Sequence, residues 1–251
     1  MVYAIIAFAL ALLLGGWMLI NAFRNTLTEN HLFFPEFPLK SGQLTILFIS
    51  DIHRRIISEK LLKQFPSQAD IVLIGGDLAE KGVPLKRIRE NVKKLSAYGP
   101  VAAVMGNNDF ELEQDQLMTI FKEEKIHLLH NSAIIAGKPE IQVIGLGEMK
   151  FNQDDLELGL KSANDKAFKI LLCHNPNIIE KLRPEHNIFF CLSGHTHGGQ
   201  IRFGKFGLYE KGKVFKRKET TILISNGYGT SKLPLRLGAP AEAHFITIKK
   251  S

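Results

Sequence analysis

Seven residues able to hold a metal ion stand in five short islands, each behind an apolar run. In chain order the islands are Asp51-Ile52-His53, Gly76-Asp77, Gly106-Asn107-Asn108-Asp109, His174 and Gly194-His195-Thr196-His197. The candidate ligands are Asp51, His53, Asp77, Asn107, His174, His195 and His197. They mix carboxylate, amide and imidazole donors, a set suited to manganese, iron or zinc rather than calcium or copper. It is large enough for two divalent ions sharing one bridging carboxylate, and two close metals suit in-line displacement at phosphorus.

The spacing adds to this. Strand residues two apart face the same way, so Asp51 and His53 at a strand end would turn toward one mouth. His195 and His197 would do likewise in an extended loop. Glycines at 75, 76, 106, 194, 198 and 199 flank the ligands and allow close backbone approach. Taken singly, each island has an ordinary reading. Asp51, Asp77 and His174 are each suited to capping, Gly106–Asp109 to a turn, and His195 and His197 to a surface loop. Only all five in this order set those readings aside.

The order Asp-x-His, Gly-Asp, Gly-Asn-x-Asp, His, Gly-His-x-His resembles the calcineurin-like metallophosphoesterase superfamily over roughly residues 40 to 250. A finer likeness, to its bacterial membrane-anchored branch, lies in the Pro-spaced segment His31–Lys40, in Gly198-Gly199-Gln200-Ile201-Arg202, and in the stretch Ser225–Arg236. The resemblance implies an α/β fold, a four-layer α/β/β/α sandwich with metals at the strand ends. It implies that Asp51, His53 and His197 hold one ion, that Asp77 bridges, and that Asn107, His174 and His195 hold the other. The expected cofactors are two divalent ions (manganese, iron or zinc), with manganese favoured.

One position departs from that pattern. The third residue of the Gly-Asn-His-Asp/Glu island is Asn108 here. The family's His is thought to steady the transition state or protonate the leaving oxygen. Asn donates a hydrogen bond but delivers no proton near neutral pH. Either the substrate has a good leaving group, as a pyrophosphate or activated diester does, or Asp109 or a water substitutes. Arg236, in the stretch that resembles the family, is a candidate phosphate clamp, since Arg suits bidentate phosphate contact. Asn108, Asp109 and Arg236 are therefore the expected non-ligand catalytic residues.

The elements that must position these groups are legible as apolar runs. Leu44–Ser50, Ile71–Gly75, Val101–Met105, Phe168–Cys173 and Ile188–Leu192 read as buried strands ending at the islands, the usual place for a site in open α/β sheets. Ile222–Ser225 and Ala243–Ile248 read as closing strands, and Ala133–Ile135 with Ile141–Gly145 as a pair in a more antiparallel second half. Pro84–Ala97 is the clearest helix, with Leu85, Ile88, Val92 and Leu95 in a stripe and Lys and Arg on its solvated faces. Further helices are expected at 59–65, 111–124, 154–161 and 177–182. Phe203–Lys218 alternates aromatic and basic residues. It reads as a plain hairpin or as a lip touching lipid tails and phosphates.

The chain has 251 residues, 45% of them hydrophobic, enough for one large α/β domain, with no sign of disorder or repeats. Cys173 and Cys191 read as small core residues, a spare ligand pair or a disulfide being the alternatives. Gly145-Leu146-Gly147 is too short for a nucleotide loop. Val2–Ile20 carries no charge and is long enough to span a bilayer, with Trp17 near one end. A cleaved signal peptide competes, but no Lys or Arg precedes the apolar core. The expected layout is an anchor over 1–22, a linker and edge segment over 23–40, and the phosphoesterase domain over 41–251. Arg24 and Lys40 after the span place that domain on the cytoplasmic face. A net charge of +7 favours an anionic membrane surface, or nucleic acid as the less favoured partner. The expected function is metal-dependent hydrolysis of phosphoester or pyrophosphate bonds in a small-molecule or lipid substrate at the membrane. The alternatives are a nuclease or cyclic-nucleotide phosphodiesterase, and a non-catalytic metal-binding scaffold.

Overall fold

The computed structural model describes residues 1–251. An apolar helix, α1 (Val2–Ala22), leads into strand β1 (Thr26–Phe34). Then come β2 (Gln43–Ile49), α2 (Glu59–Leu62), β3 (Ile71–Gly75), α3 (Leu85–Ser96), β4 (Val101–Val104), α4 (Gln114–Glu123) and the short β5 (His127–Leu128). The second half runs β6 (Ser132–Ala136), β7 (Lys138–Gly145), α5 (Leu156–Lys161), β8 (Phe168–Leu172), β9 (Ile188–Ser193), β10 (Lys213–Arg217), β11 (Thr220–Ile224) and β12 (Glu242–Lys250).

The strands form two six-stranded sheets, ordered β1-β12-β2-β3-β4-β5 and β10-β11-β9-β8-β7-β6. Their central strands read as unbroken apolar runs because both faces are covered. Alternate residues of β2 show this. Leu44, Ile46 and Phe48 point into the space between the sheets, where they meet Phe168, Ile170 and Phe190. Leu47 and Ile49 point outward under α3 and α4, against Ile88, Val92, Leu117 and Ile120. On the far side, Leu171 and Cys191 pack beneath Leu156 of α5 and Ile178 of a 3-10 turn. The result is helix, sheet, sheet, helix: the four-layer sandwich that the sequence resemblance implies. Both cysteines are free and buried.

Several expectations need correction. The segment 23–40 is less a linker than expected, because β1 already begins at Thr26 and pairs in parallel with β12 at the sheet edge. Its alternation of half-buried and exposed residues hides it among polar neighbours. Antiparallel pairing in the second sheet is confined to its edges, β6 with β7 and β10 with β11, while β7, β8, β9 and β11 run parallel. The helices expected at 111–124 and 177–182 are a short α4 after one 3-10 turn and a 3-10 turn alone. The segment 203–218 divides: Lys213–Arg217 is a strand of the hairpin, and the residues before it form a separate loop.

Helix α1 has a mean hydropathy of 2.3 and none of its apolar window is buried, so it is long and apolar enough to cross a membrane; a signal sequence has the same properties. Its last turn is fastened to the sandwich. The buried Arg55 guanidinium donates to the carbonyls of Ala22 (3.3 Å), Phe23 (3.3 Å) and Arg24 (3.1 Å) and lies 3.6 Å over the Tyr228 ring.

Phe168 sits between the sheets, edge-on to Phe34 and Phe37 and stacked on Phe189. Phe168→Ala is expected to cost about 3–5 kcal/mol, read as a lowered urea midpoint of the detergent-solubilised chain.

Candidate metal centre

The five islands meet at the carboxyl ends of parallel strands from both sheets. Asp51 and His53 follow β2, Asp77 follows β3, and Asn107 to Asp109 follow β4. His174 follows β8, and His195 and His197 follow β9. All seven predicted ligands are brought to this one place, but not by strand alternation. Asp51, His53, Asp77, His195 and His197 each have φ between 50° and 71°, the left-handed region that side chains other than glycine rarely enter. Backbone strain of this kind concentrates at functional sites and persists where the surroundings over-determine it. Here the surroundings are explicit. The amides of Ile52 and His53 both reach the Asp77 carbonyl (2.8 and 3.1 Å), and the Gly229 amide holds the Asp51 carbonyl (2.6 Å). Gly76 has φ 85°, and a Cβ there would stand 2.5 Å from His174 Nδ1.

The ligand atoms converge. Asp51, His53 and His197 offer atoms within 4.8 Å of one another, as do Asp51, Asp77 and His174. Asp77 Oδ2 lies 3.4 Å from His174 Nε2 and 3.7 Å from His53 Nε2, and His197 Nε2 lies 3.4 Å from Asp51 Oδ1. Two imidazole pairs face each other nitrogen to nitrogen at 3.1 Å, His53 with His197 and His174 with His195. Lone pairs so close repel unless a proton or a cation lies between them. The Asn107 Oδ1 atom is buried with no hydrogen-bond partner, an acceptor that a cation would satisfy.

The charges agree. Burial opposes ionisation of Asp77, yet His174, His53 and the Asn108 amide hold its carboxyl well below the usual range. Burial likewise opposes protonation of His174, but Asp77, Asp51 and Glu148 raise it to about 10. Burial, reinforced by His53 and Arg236, pushes His197 down to about 3, leaving a neutral donor. The anionic surroundings that raise His174 would equally favour a divalent cation, whose binding would release that proton. The donor set therefore fits the divalent ions that calcineurin-like proteins typically bind.

Further groups hold the candidate ligands in place. Glu80 Oε2 lies 3.0 Å from His53 Nδ1, and the Gly75 carbonyl lies 2.8 Å from His174 Nδ1. Such partners fix the ring orientation of ligating histidines. Glu148 is buried with an unpartnered Oε2, and its charge acts on His174. No motif marks Glu80 or Glu148; each is a lone Glu in a loop.

Asn108 is at the cleft, with its amide N–H donating to Asp77 Oδ1 (2.8 Å) and its Nδ2 3.3 Å from His53 Nδ1. The other two expected catalytic residues are placed differently. Asp109 is buried and accepts from the Ala79 amide (3.0 Å) and the Gly106 amide (2.9 Å), so it ties two ligand loops together and does not face the cleft. Burial and the nearby Asp77 charge push its carboxyl up to about 7. Arg236 is also fully buried. Its N–H groups go to the carbonyls of Gly229 (2.6 Å), Asn226 (2.6 Å), Ala239 (2.9 Å) and His197 (3.3 Å). No donor is left for a phosphate, so the clamp role is corrected: Arg236 holds the His197 loop in place.

The open side of the site is a cleft of about 320 Å³ lined by His195, His197, Gln200, Leu208, Tyr209 and Lys232 among others.

A sequence model of the calcineurin-like phosphoesterases matches residues 44–199. The uncharacterized protein YpbG of Bacillus subtilis is 46% identical over 231 residues, covering 89% of each chain. An uncharacterized metallophosphoesterase of the same organism, YkoQ, is 28% identical, covering 82% of this chain and 84% of its own. The phosphodiesterase YaeI of Escherichia coli is 27% identical over 62% of each chain. Among solved structures, TT1561 of Thermus thermophilus superposes with a TM-score of 0.52 at 16% identity, covering 73% of this chain and 89% of that one. At that identity the likeness shows the fold alone.

Removing the partner of His53 in Glu80→Ala is expected to weaken manganese binding about 10–100-fold by isothermal titration, with the circular dichroism spectrum unchanged.

Proposed function

The chain belongs to the calcineurin-like phosphoesterase family, and from that premise we propose that it hydrolyses phosphodiester or pyrophosphate bonds at a dinuclear metal site. One observation carries the reading. Two buried carboxylates, four imidazoles and an unpartnered amide oxygen converge at the strand ends of both sheets. In this reading Asp51, His53 and His197 hold one ion, Asn107, His174 and His195 the other, and Asp77 both. Manganese is favoured by the mixed oxygen and nitrogen donors. Such ions polarise a phosphoryl group and lower the pKa of water, which is the chemistry that hydrolysis at phosphorus needs.

The residues of the chain do the rest. Glu80 and the Gly75 carbonyl hold the rings of His53 and His174 in one orientation. Arg236 fixes the backbone of the His197 loop. Lys232 stands at the rim of the cleft, where its ammonium can pair with a substrate phosphate. Asn108 offers its side-chain N–H to a phosphoryl oxygen but supplies no proton to the leaving group. Diesters and pyrophosphates with acidic leaving groups suit this site better than simple alkyl monoesters. The name of the Escherichia coli relative, a phosphodiesterase, agrees with the diester half of the reading. Helix α1 serves as a membrane anchor, and the sandwich, which begins with β1, faces the cytoplasm.

Two measurements test this. The manganese-loaded chain is expected to hydrolyse bis(p-nitrophenyl) phosphate, and Asp77→Ala to lose the activity. An inert wild type under the same load would leave only a metal-binding scaffold. Along a series of aryl and alkyl diesters, Asn108→His is expected to raise turnover most for the poorest leaving groups, by about 10²-fold at most. An equal effect across the series would remove leaving-group protonation from this position.

A further inference from the structure

The loop Ile201–Tyr209 exposes side chains that soluble domains normally hide. Phe203 is 67% exposed, Phe206 71%, Leu208 83%, and the neighbouring Leu233 62%. A contiguous apolar patch of this kind marks an interaction surface. The exposure is built in. Arg202, buried beneath the loop, donates to the carbonyls of Lys205 (2.8 Å) and Tyr209, which holds the loop open with its aromatic residues outward. Lys205, Lys211 and Lys232 are exposed around the patch.

The loop is tied to α1 through a short series of hydrogen bonds. The Arg202 amide pairs with the Leu237 carbonyl (2.8 Å), and Gln200 Nε2 donates to the carbonyls of Ser231 (3.0 Å) and Leu233 (3.1 Å). Next to Leu237, the Arg236 amide donates to the Met18 carbonyl of α1 (3.0 Å). Met18 is one turn before the end of the helix at Ala22, about 6 Å along its axis. A span beginning at Val2 leaves the hydrocarbon near this level. Trp17 and Arg24, paired at 6.0 Å, form the aromatic and basic belt expected there. Arg55 fastens the helix end to the sandwich, which fixes the height of the loop against the bilayer.

We propose that the Ile201–Tyr209 loop, with Leu233, is a second membrane contact that seats in the interfacial layer of an anionic bilayer. The mouth of the metal cleft, rimmed by Leu208, Tyr209 and Lys232, then opens onto the headgroups. The substrate class is a phosphate diester or diphosphate on a lipid anchor. Phe203, Phe206 and Leu233 enter the acyl boundary, and the lysines meet anionic headgroups. The substrate clause rests on the hydrolase reading above; the contact itself does not.

The test uses the full chain in vesicles of phosphatidylcholine and phosphatidylglycerol. In a Trp17→Phe background, Phe206→Trp places a single tryptophan on the loop. Its fluorescence is expected to fall at least about twofold with bromine at shallow acyl positions. Water-like, unquenched emission would overturn the contact. So would a blue shift that follows protein concentration without lipid quenching, which assigns the face to a second copy. For the substrate clause, Phe203→Ser/Phe206→Ser is expected to lower kcat/KM for a vesicle-borne polyprenyl diphosphate about tenfold, with bis(p-nitrophenyl) phosphate hydrolysis unchanged. An equal loss on both substrates, or no loss on either, would overturn that clause. A wild type inert on both substrates would overturn the clause along with the hydrolase reading, while quenching still decides the contact.

Discussion

Two carboxylates buried side by side cannot both stay ionised in a desolvated cleft without positive charge between them. Asp51 and Asp77 are in that position. The His residues around them, the amides of His195 and Asn108 that reach their oxygens, and the facing imidazole pairs all answer the same need. The proton on His174 meets it in part, and a pair of divalent ions would meet it fully. The two sheets exist, in functional terms, to keep water from doing that screening instead.

Keeping the cleft closed has a local cost. Five ligand residues sit in left-handed backbone, and glycines beside them leave no room for a methyl group. Asp51 is held from two sides, its amide on the Gly76 carbonyl and its own carbonyl on the Gly229 amide. Tyr228 and Gly229 from the last third of the chain bind the carbonyls of Ser50 and Asp51, and Arg236 threads its guanidinium through carbonyls of the same loop. These contacts connect the centre to the end of α1, since Arg55 touches both Tyr228 and the last carbonyls of the helix. The ligand loops, the tail loop and the apolar helix form one mechanical unit.

The positions of the candidate ligands were legible in the sequence because each island of polar residues closes an apolar run. The runs in turn reveal β2, β3, β4, β8 and β9, which are buried on both faces. What periodicity could not show is how Asp51 and His53 come to face one way. Strand alternation gives the right answer for the wrong reason, because both lie past the end of β2 in left-handed turns. β1 was hidden because one of its faces is wet and its residues read as polar. Arg236 was misread because an Arg in a basic, Gly-rich tail looks the same in sequence whether it meets phosphate or backbone. Only the carbonyls around it decide. Glu80 left no signal, since one Glu in a loop is indistinguishable from a solvated one.

In the proposed hydrolase the Asn108 amide donates a hydrogen bond, and the proton for the leaving group comes from elsewhere. In the proposed membrane contact, the loop beside α1 sets the cleft against the headgroups. The hydrolase reading rests on cations lying between Asp51, Asp77 and the imidazoles. Anomalous diffraction from crystals of the chain grown with manganese tests that most directly. The account predicts two peaks flanking the Asp77 carboxylate, within bonding reach of His53 and His197 on one side and His174 and His195 on the other. A cleft without anomalous density, its carboxylates neutralised by protonated histidines alone, would contradict it.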